Sequence, residues 1–354
     1  MFTILAMVIA LFFAMNIGAS GTAAAMGAAY GGGALKSKLA ATSLVGIAAL
    51  AGAVLGGGEV VATISKGIVD SGVISVEIAV VILTSACLTL FYANLAGIPL
   101  STSEVTVGSV VGAGIAYQSL HLGKLALIVS VWLVLPFAAL FVAFLLGKLS
   151  PFIERMLAKT GRPETTGRLL TLFLISAGCY EAFSAGMNNV ANAAGPLVGA
   201  GVIDARTGIW LGGLAVAAGA VLLGGRVLET NGKKITKLSL LNGSFVSLTS
   251  GSLVIAASLF GLPVPLTQAT TMAIFGIGVA NHGKKLWNNS IVGRIVKIWL
   301  ISPLSSLVVS YTLVQLFILN DFYAVSVVVS VFVITVSFFG FKRLRRHHFE
   351  GEGI

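Results

Sequence analysis

Charged residues are scarce in this sequence. Asp, Glu, Lys and Arg together make up 10% of its 354 residues, whereas 57% of the residues are hydrophobic. Soluble globular proteins carry roughly 25% charged residues, so the chain lacks the polar surface that a soluble domain needs. This composition indicates an integral membrane protein, and we predict an all-α fold of membrane-spanning helices.

Cysteine and the common catalytic motifs are also scarce. Cys87 and Cys179 are the two cysteines, and both lie in apolar runs. We therefore expect small packing residues and not a disulfide or a metal pair. No segment reads GxxxxGKS, GxxxxGKT, HExxH or CxxC, which argues against ATP hydrolysis and zinc chemistry. We predict that the chain is not an enzyme and holds no cofactor and no metal.

The basic residues are distributed unevenly between the two sides of the predicted spans. The formal net charge is +10, but the basic residues lie in short segments between apolar runs and form no soluble face for nucleic acid. If the N-terminus lies outside, all of the 22 basic residues except Lys66, Lys124 and Arg206 fall on the inside. This predicts a multi-pass protein of the cell membrane with an outside N-terminus and a cytoplasmic C-terminus. The C-terminal KRLRRHH segment is expected to contact membrane lipid.

Eleven apolar segments approach the length of about 20 residues that a transmembrane helix needs. They lie near residues 2–35, 39–57, 74–97, 101–118, 124–148, 168–202, 207–224, 238–261, 265–281, 290–318 and 322–341. The 101–118 and 265–281 segments are short and begin just after Pro99 and Pro263. Each of these two is therefore either a full crossing or a re-entrant hairpin.

Two polar stretches interrupt the apolar segments. Residues 186–201 read GMNNVANAAGPLVGAG, and residues 16–22 read NIGASGT. Glycine and proline disfavour a continuous helix, so we expect a broken helix at each stretch. Because lipid offers no partner to a bare amide, polar side chains on a broken backbone normally line a substrate cavity. The alternative is that the asparagines only hydrogen-bond to neighbouring helices.

The sequence also repeats itself, with an offset that drifts between 164 and 172 positions. The matching pairs are Trp132 and Trp299, Pro136 and Pro303, Pro99 and Pro263, and Asn16 and Asn188. Each half contains five crossings, and an odd number predicts that the second half is inverted relative to the first. The predicted boundaries are 1–149 for the first inverted repeat, 150–167 for a cytoplasmic linker, 168–318 for the second inverted repeat, and 319–354 for an extra C-terminal transmembrane helix with a basic tail.

The polar stretches resemble the signatures of the inorganic phosphate transporter (PiT) family. GMNNVANAAGP is similar to that family's G-x-N-D-V-A-N-A-x-G-P signature, and RVLETNGKKIT is similar to the segment that follows it. IPLSTSE resembles the family's P-x-S-T-T hairpin motif, and LPVPLTQ resembles a degraded second copy. The resemblance covers nearly the whole chain in order. It implies a homodimeric secondary transporter of a tetrahedral oxyanion.

Three departures from the family pattern bear on the substrate. Ile17 and Asn189 stand where the pattern has aspartates, which the resemblance associates with sodium and phosphate, and Ser20 replaces an asparagine. Sulfate is fully ionised and only accepts hydrogen bonds, so a pocket of amides, hydroxyls and helix N–H groups suits it. The chain therefore resembles the sulfate-permease branch, and we predict proton-coupled sulfate import. Phosphate symport with protons or sodium, thiosulfate as a co-substrate, and a passive anion channel are the alternatives.

The predicted site residues lie in both halves of the chain. The substrate-binding candidates are Asn16, Ser20, Ser101, Thr102, Ser103, Asn188, Asn189, Asn192, Thr267 and Gln268. The hydroxyls of 101–103 follow Pro99 at a helix start, where they either cap the helix or bind an anion. Glu104 and Glu181 are predicted to carry the coupling proton, because a carboxylate within a span is a functional candidate. The alternative for both is a salt bridge to a nearby Arg or Lys.

Overall fold

The computed structural model describes residues 1–70, 72–95, 100–160, 163–235, 238–283 and 289–331. Over these residues the chain is almost entirely helical and contains no β-strand. The predicted all-α membrane fold is confirmed.

The described part of the chain contains fourteen α-helices. In chain order they are α1 (Phe2–Ile17), α2 (Gly27–Gly31), α3 (Lys38–Gly56), α4 (Gly58–Ala62), α5 (Val76–Leu95), α6 (Thr102–Ala116), α7 (Leu122–Thr160), α8 (Pro163–Gly199), α9 (Ala205–Leu223), α10 (Gly225–Ile235), α11 (Leu240–Leu259), α12 (Leu266–His282), α13 (Asn289–Phe317) and α14 (Phe322–Val331). Two π-helical segments, Gly18–Thr22 and Thr63–Gly67, continue α1 and α4.

Eight helices of the described residues are long and apolar enough to cross a membrane. They are α1 with its π-helical extension, α3, α5, α7, α8, α9, α11 and the Trp299–Phe317 part of α13. The helices α6 and α12 have 15 and 17 residues, so they reach about 22 and 25 Å and fall short of the ~30 Å hydrocarbon core. This length favours re-entrant hairpins for 101–118 and 265–281, although Pro99 lies outside the described residues. The predicted 322–341 crossing is described only as far as Val331.

The predicted break in the second polar stretch is wrong. The helix α8 runs continuously through Gly186, Gly195 and Pro196. A Cβ added to Gly186 would lie 2.6 Å from the Ala49 Cα, so glycine here allows α8 to pack directly on the α3 backbone. This packing offsets the low helix propensity of glycine, about 1 kcal/mol, and a proline in the last turn interrupts little helix. In the first polar stretch, by contrast, α1 does end at Ile17 and passes into the π-helical segment.

The segment predicted to be a polar linker, 150–167, is helical in its described part. The helix α7 extends to Thr160, and α8 begins at Pro163. Leu, Ile, Glu, Arg, Met, Ala and Lys in this segment all have good or moderate helix propensity. The polar residues therefore mark where the chain leaves the apolar region and not where the helix ends.

The contacts between the two halves of the chain come in matching pairs. The helix α3 packs on α8 and α1 on α9, while α6 packs on α13 and α12 on α7. A Cβ added to Gly112 would lie 3.0 Å from the Tyr311 nitrogen, and one added to Gly276 would lie 3.0 Å from the Phe144 nitrogen. Tyr311 and Phe144 are themselves 167 positions apart. These matched contacts support two structural repeats, whereas their inversion across the membrane and their boundaries stay predictions.

Alanine at Gly186 is expected to destabilise the protein by about 3 kcal/mol, because the added methyl meets a helix backbone that cannot rotate away. The midpoint of thermal unfolding in detergent should fall by about 5 °C. Gly58→Ala is the matched control, since nothing lies within 4 Å of its Cβ position. Equal midpoints for the two variants would show that α3 and α8 are not tightly packed at Gly186.

A polar pair joins the loops at one end of the bundle. The His121 Nε2 lies 2.7 Å from Asp70 Oδ1, and Ser119 Oγ donates to Asp70 Oδ2 at 2.6 Å. The hydrogen bonds from Ser119 and His121 lower the pKa of Asp70, and the bond to Asp70 raises the pKa of His121. The ion pair is therefore fully formed between pH 3.8, the ordinary pKa of aspartate, and pH 6.5, the ordinary pKa of histidine. It weakens as the pH rises through the raised pKa of His121. Since both side chains are exposed, its role is a modest structural one.

Candidate functional site

Three asparagines on α8 meet the first turn of α6. Ser103 Oγ donates to Oδ1 of both Asn188 and Asn189 at 3.3 Å. Asn192 Nδ2 donates to Ser103 Oγ at 3.3 Å and to Thr102 Oγ1 at 3.4 Å. Asn188 and Asn192 have no exposed surface, and Ser103 and Asn189 are also buried. We call these five side chains the asparagine cluster.

Helical spacing accounts for the geometry of the asparagine cluster. Asn188 and Asn192 are four residues apart and Asn189 adjoins the first, so all three occupy one face of α8. Ser101 is the N-cap of α6, and its Oγ accepts a hydrogen bond from the Glu104 nitrogen at 3.4 Å. The free N–H groups and the positive end of the α6 dipole therefore lie at the cluster. Ser101 caps the helix, whereas the next two hydroxyls contact the asparagines.

Asn188 also fixes the loop that precedes α12. Its Nδ2 donates to Ser258 Oγ at 2.7 Å and to the Leu262 carbonyl oxygen at 3.0 Å, and its Oδ1 accepts from the Val264 nitrogen at 3.1 Å. Sequence reasoning missed these three partners, because two of them contribute only backbone groups. One asparagine thus joins α8, α6, the end of α11 and the α12 hairpin.

Two buried amide oxygens beside these contacts have no hydrogen-bond partner. They are Asn192 Oδ1 and Gln268 Oε1. Buried polar groups are nearly always paired, so an unpaired one marks a place where a further group is expected. Rotating an amide by 180° exchanges its oxygen for its NH2 group. The asparagine cluster can therefore offer either an acceptor or a donor at this point.

Glu104 and Gln268 form a buried pair between α6 and α12. Gln268 Nε2 donates to Glu104 Oε1, and both side chains are nearly inaccessible. The two residues are 164 positions apart, the same offset that relates Pro99 to Pro263, so they occupy matching positions in the two predicted repeats. Thr267, next to Gln268, is half-buried, and its side chain joins no hydrogen bond of the asparagine cluster.

Glu181 lies in a second polar environment, seven residues before Asn188 on α8 and thus about 10 Å along the helix. Its Oε1 accepts from Ser250 Oγ at 2.9 Å and from Thr270 Oγ1 at 2.7 Å. Over the described part of the chain, neither Glu181 nor Glu104 has an Arg or Lys within salt-bridge distance. The salt-bridge alternative therefore finds no support among these residues.

The structure does not bring Asn16 and Ser20 into the asparagine cluster. Asn16 Nδ2 donates to the Phe12 carbonyl at 2.8 Å, and Ser20 Oγ donates to the Asn16 carbonyl at 2.9 Å. Both side chains thus hydrogen-bond to their own helix. Within the described residues, no hydrogen bond joins either of them to α8 or α6, and their role in substrate binding stays a prediction.

Comparison with known proteins places the chain in a family. Residues 17–310 match the model of the phosphate transporter family. The chain belongs to the phosphate transporter family. It is therefore a multi-pass membrane protein of a family of anion transporters, which confirms the resemblance seen in GMNNVANAAGP and supports the predicted absence of enzymatic activity.

Individual relatives of this phosphate transporter family member cover most of its length. It is 51% identical over 326 residues to the sulfate permease CysP of Bacillus subtilis (strain 168), covering 92% of this chain and 91% of the permease. It is 27% identical over 412 residues to the chloroplastic inorganic phosphate transporter 2-1 of Arabidopsis thaliana, covering 85% of this chain and 70% of that protein. The solved structure of a sodium-dependent phosphate transporter superposes with a TM-score of 0.78 at 24% identity, over 90% of this chain and 99% of the other. The three matches show a shared transporter fold.

Proposed function

We propose that the chain imports sulfate and that the proton gradient drives this import. The observation that carries the proposal is the asparagine cluster, which is buried, uncharged and placed at the N-terminal end of α6. Amide NH2 groups, hydroxyls and helix N–H groups are all donors, and a sulfate dianion only accepts hydrogen bonds. The binding candidates remain the ten residues named from the sequence, with the asparagine cluster as their core.

The missing aspartate favours sulfate over phosphate. Asn189 Oδ1 accepts from Ser103 and lies 3.5 Å from Thr102 Oγ1, so an aspartate here would place a negative charge inside the cluster. Two unit charges 4 Å apart interact by about 4 kcal/mol at an effective dielectric constant of 20. Phosphate can offset such repulsion by donating its remaining proton to the carboxylate, whereas sulfate has none. The 51% identity to a protein named as a sulfate permease supports the same choice.

Phosphate is the second candidate substrate, because the relative in Arabidopsis thaliana is named as an inorganic phosphate transporter. Thiosulfate shares the geometry of sulfate and is a candidate co-substrate. A passive anion channel is the weakest alternative, since the buried amides form one compact cluster and not a continuous polar pore.

Glu104 and Glu181 are the proposed proton carriers. Both carboxyls are buried, and each accepts hydrogen bonds from neutral side chains of α11 or α12. A proton on a buried carboxyl removes its repulsion of an incoming dianion. Sodium is a poorer coupling ion for this chain, because Ile17 supplies no oxygen ligand where the family signature has aspartate.

The proposed orientation and assembly rest on the sequence. The one-sided basic residues favour an outside N-terminus and a cytoplasmic C-terminus; the KRLRRHH tail lies outside the described residues. We also propose a homodimer in the cell membrane, in contact with lipid through its exposed apolar side chains.

Uptake of labelled sulfate and labelled phosphate into proteoliposomes tests the proposed function. With an inward proton gradient, we expect sulfate to accumulate and phosphate to accumulate at least 10-fold more slowly. An inward sodium gradient alone should produce no accumulation. Phosphate uptake driven by sodium, with no sulfate uptake, would overturn the proposal.

Glutamine substitution of the carriers should separate coupling from binding. For Glu104→Gln and Glu181→Gln we expect proton-driven sulfate accumulation to fall about 10-fold, because glutamine cannot exchange a proton. Exchange of sulfate for sulfate at equal pH should stay within about twofold of wild type. Glu77→Gln, at an exposed position at the start of α5, is the matched control. If both variants keep the pH dependence of the wild type, these carboxyls do not carry the proton.

A further inference from the structure

A column of buried serine hydroxyls runs along α13. Ser302, Ser306 and Ser310 are spaced four residues apart, so they share one face of the helix, and none has any exposed surface. Among the described residues the Ser310 hydroxyl has no hydrogen-bond partner, the Ser302 hydroxyl lies at the Glu104 carboxyl, and Ser306 Oγ donates to the Pro303 carbonyl in its own turn at 3.1 Å. We call these three residues the serine column.

The serine column faces α6. A Cβ added to Gly108 would collide with the Ser306 hydroxyl, and one added to Gly112 would lie 3.0 Å from the Ser310 Cβ. The two glycines bring the α6 backbone against the serines and exclude lipid from the hydroxyls. The column therefore lies in a protein interior made by two helices.

Packing alone does not account for hydroxyls at these positions. The matching interface, between α7 and α12, has Leu135, Ala139 and Ala143 at the positions 167 residues earlier, and all three are buried. That interface packs equally closely without a hydroxyl. A buried hydroxyl without a partner costs about 1–3 kcal/mol, so three serines here, with the Ser310 hydroxyl unpaired among the described residues, indicate a role beyond packing.

The serine column connects two different environments. At one end the Ser302 hydroxyl lies beside Glu104, with which it interacts electrostatically. At the other end Ser310 packs at the level of Gly112, and one turn further along α6 Ile115 and Tyr117 are exposed. Successive hydroxyls are separated by about 6 Å along the helix, a gap that one water bridges with two hydrogen bonds of about 2.8 Å.

Several charged or titratable residues lie on the helices that pack on α6, the helix that carries Glu104. They are Glu77, Cys87 and Tyr92 of α5, Glu164, Arg168, Cys179, Tyr180 and Glu181 of α8, and Arg294, Lys297 and Tyr311 of α13; the side chains of Arg294 and Lys297 are not among those that the structure describes. The groups that contact the Glu104 carboxyl are the neutral Gln268 and Ser302. At the far end of α6, His121 and Asp70 pair with each other.

We propose that the serine column is the path by which protons travel between the solvent at the C-terminal end of α6 and Glu104. The path rests on the proposed proton coupling and specifies its route. A hydronium ion at the end of α6 gives up a proton and becomes water, each hydroxyl accepts one proton and releases another through a bridging water, and the last proton ends on a Glu104 carboxylate oxygen. Every serine is left as it began, so one proton moves and no bond other than O–H changes.

Alanine substitutions of the column test the path. For Ser302→Ala, Ser306→Ala and Ser310→Ala we expect sulfate-dependent acidification of the proteoliposome lumen, read by a trapped pH dye, to slow at least 10-fold. Sulfate–sulfate exchange at equal pH should stay within about twofold of wild type, because it needs no net proton movement. Ser305→Ala is the matched control: it lies on the same helix, and its hydroxyl donates to the Ile301 carbonyl. It should leave both rates unchanged.

Two results would overturn the path while leaving sulfate transport intact. One is normal acidification in all three variants, and the other is an equal fall in acidification and exchange, which a purely structural role produces. Failure of the proposed function is distinguishable from both, because wild-type protein would then show no acidification with sulfate at all.

Discussion

Replacing Asn192 by alanine is expected to reduce sulfate uptake at least 100-fold, equivalent to about 2.7 kcal/mol. The Asn192 amide joins Thr102, Ser103 and Asn189 through its Nδ2, and its Oδ1 is unpaired inside the asparagine cluster. Alanine removes an amide whose NH2 group contacts a bound anion once the amide rotates by 180°. The helix α8 should persist, because alanine has a higher helix propensity than asparagine.

The comparison that isolates this effect uses a second buried asparagine. Asn242 on α11 is also buried and also has an unpaired Oδ1, but it lies outside the asparagine cluster. Labelled sulfate uptake should therefore be lost in Asn192→Ala and largely kept in Asn242→Ala, at equal amounts of reconstituted protein. Retention of more than half the wild-type rate in Asn192→Ala would move the binding site elsewhere.

Replacing Asn189 by aspartate is expected to reverse the preference between sulfate and phosphate. The substitution is nearly isosteric and places a negative charge where Asn189 Oδ1 now accepts from Ser103. With a dianion about 4 Å away, the repulsion is on the order of several kcal/mol even at an effective dielectric constant of 20. Sulfate uptake should fall at least 100-fold. Phosphate uptake should fall less or rise, because a protonated phosphate can donate to the new carboxylate.

Asn189→Ser separates charge from the loss of the amide. It removes the amide but stays neutral, so it should weaken sulfate and phosphate uptake by similar factors. Initial uptake rates of the two labelled anions, measured in parallel for both variants, give the selectivity ratio. An unchanged ratio in Asn189→Asp would show that the Asn189 side chain does not face the transported anion. Adding aspartate at Ile17 is expected to shift the ratio in the same direction.

The core of the candidate site was predictable from the sequence because its residues come from two short motifs. The asparagines of GMNNVANAAGP and the hydroxyls of IPLSTSE are adjacent in space. Polar side chains in an apolar chain are expected to contact each other, because lipid offers them no hydrogen-bond partner. The 164-residue offset predicts that Glu104 and Gln268 occupy matching positions, but it does not predict that the starts of α6 and α12 lie against each other. The contacts of Asn188 with Leu262 and Val264 use backbone groups, which leave no trace in residue type.

The wrong prediction of a helix break in 186–201 has a physical cause. Glycine and proline in 186–201 predicted a break because local propensity was considered without the neighbouring helix. The structure places Gly186 against Ala49 and so uses glycine for close contact. Asn16 occupies the position that matches Asn188, yet it lies at the end of α1, where the helix passes into a π-helical segment and the amide bonds to its own turn. A packing partner distant in sequence therefore explains the continuous α8. Local hydrogen bonding at a helix end explains the contact of Asn16, whose part in substrate binding stays a prediction.

Competition binding tests the neutral asparagine cluster most directly. Purified wild-type protein is equilibrated with labelled sulfate between pH 6 and pH 8, and unlabelled phosphate is added. We expect sulfate to bind across this range and phosphate to displace it only at concentrations at least 10-fold higher than unlabelled sulfate requires. Displacement by phosphate at lower concentrations than by sulfate, or binding of phosphate alone, would contradict an uncharged pocket that selects a fully ionised oxyanion.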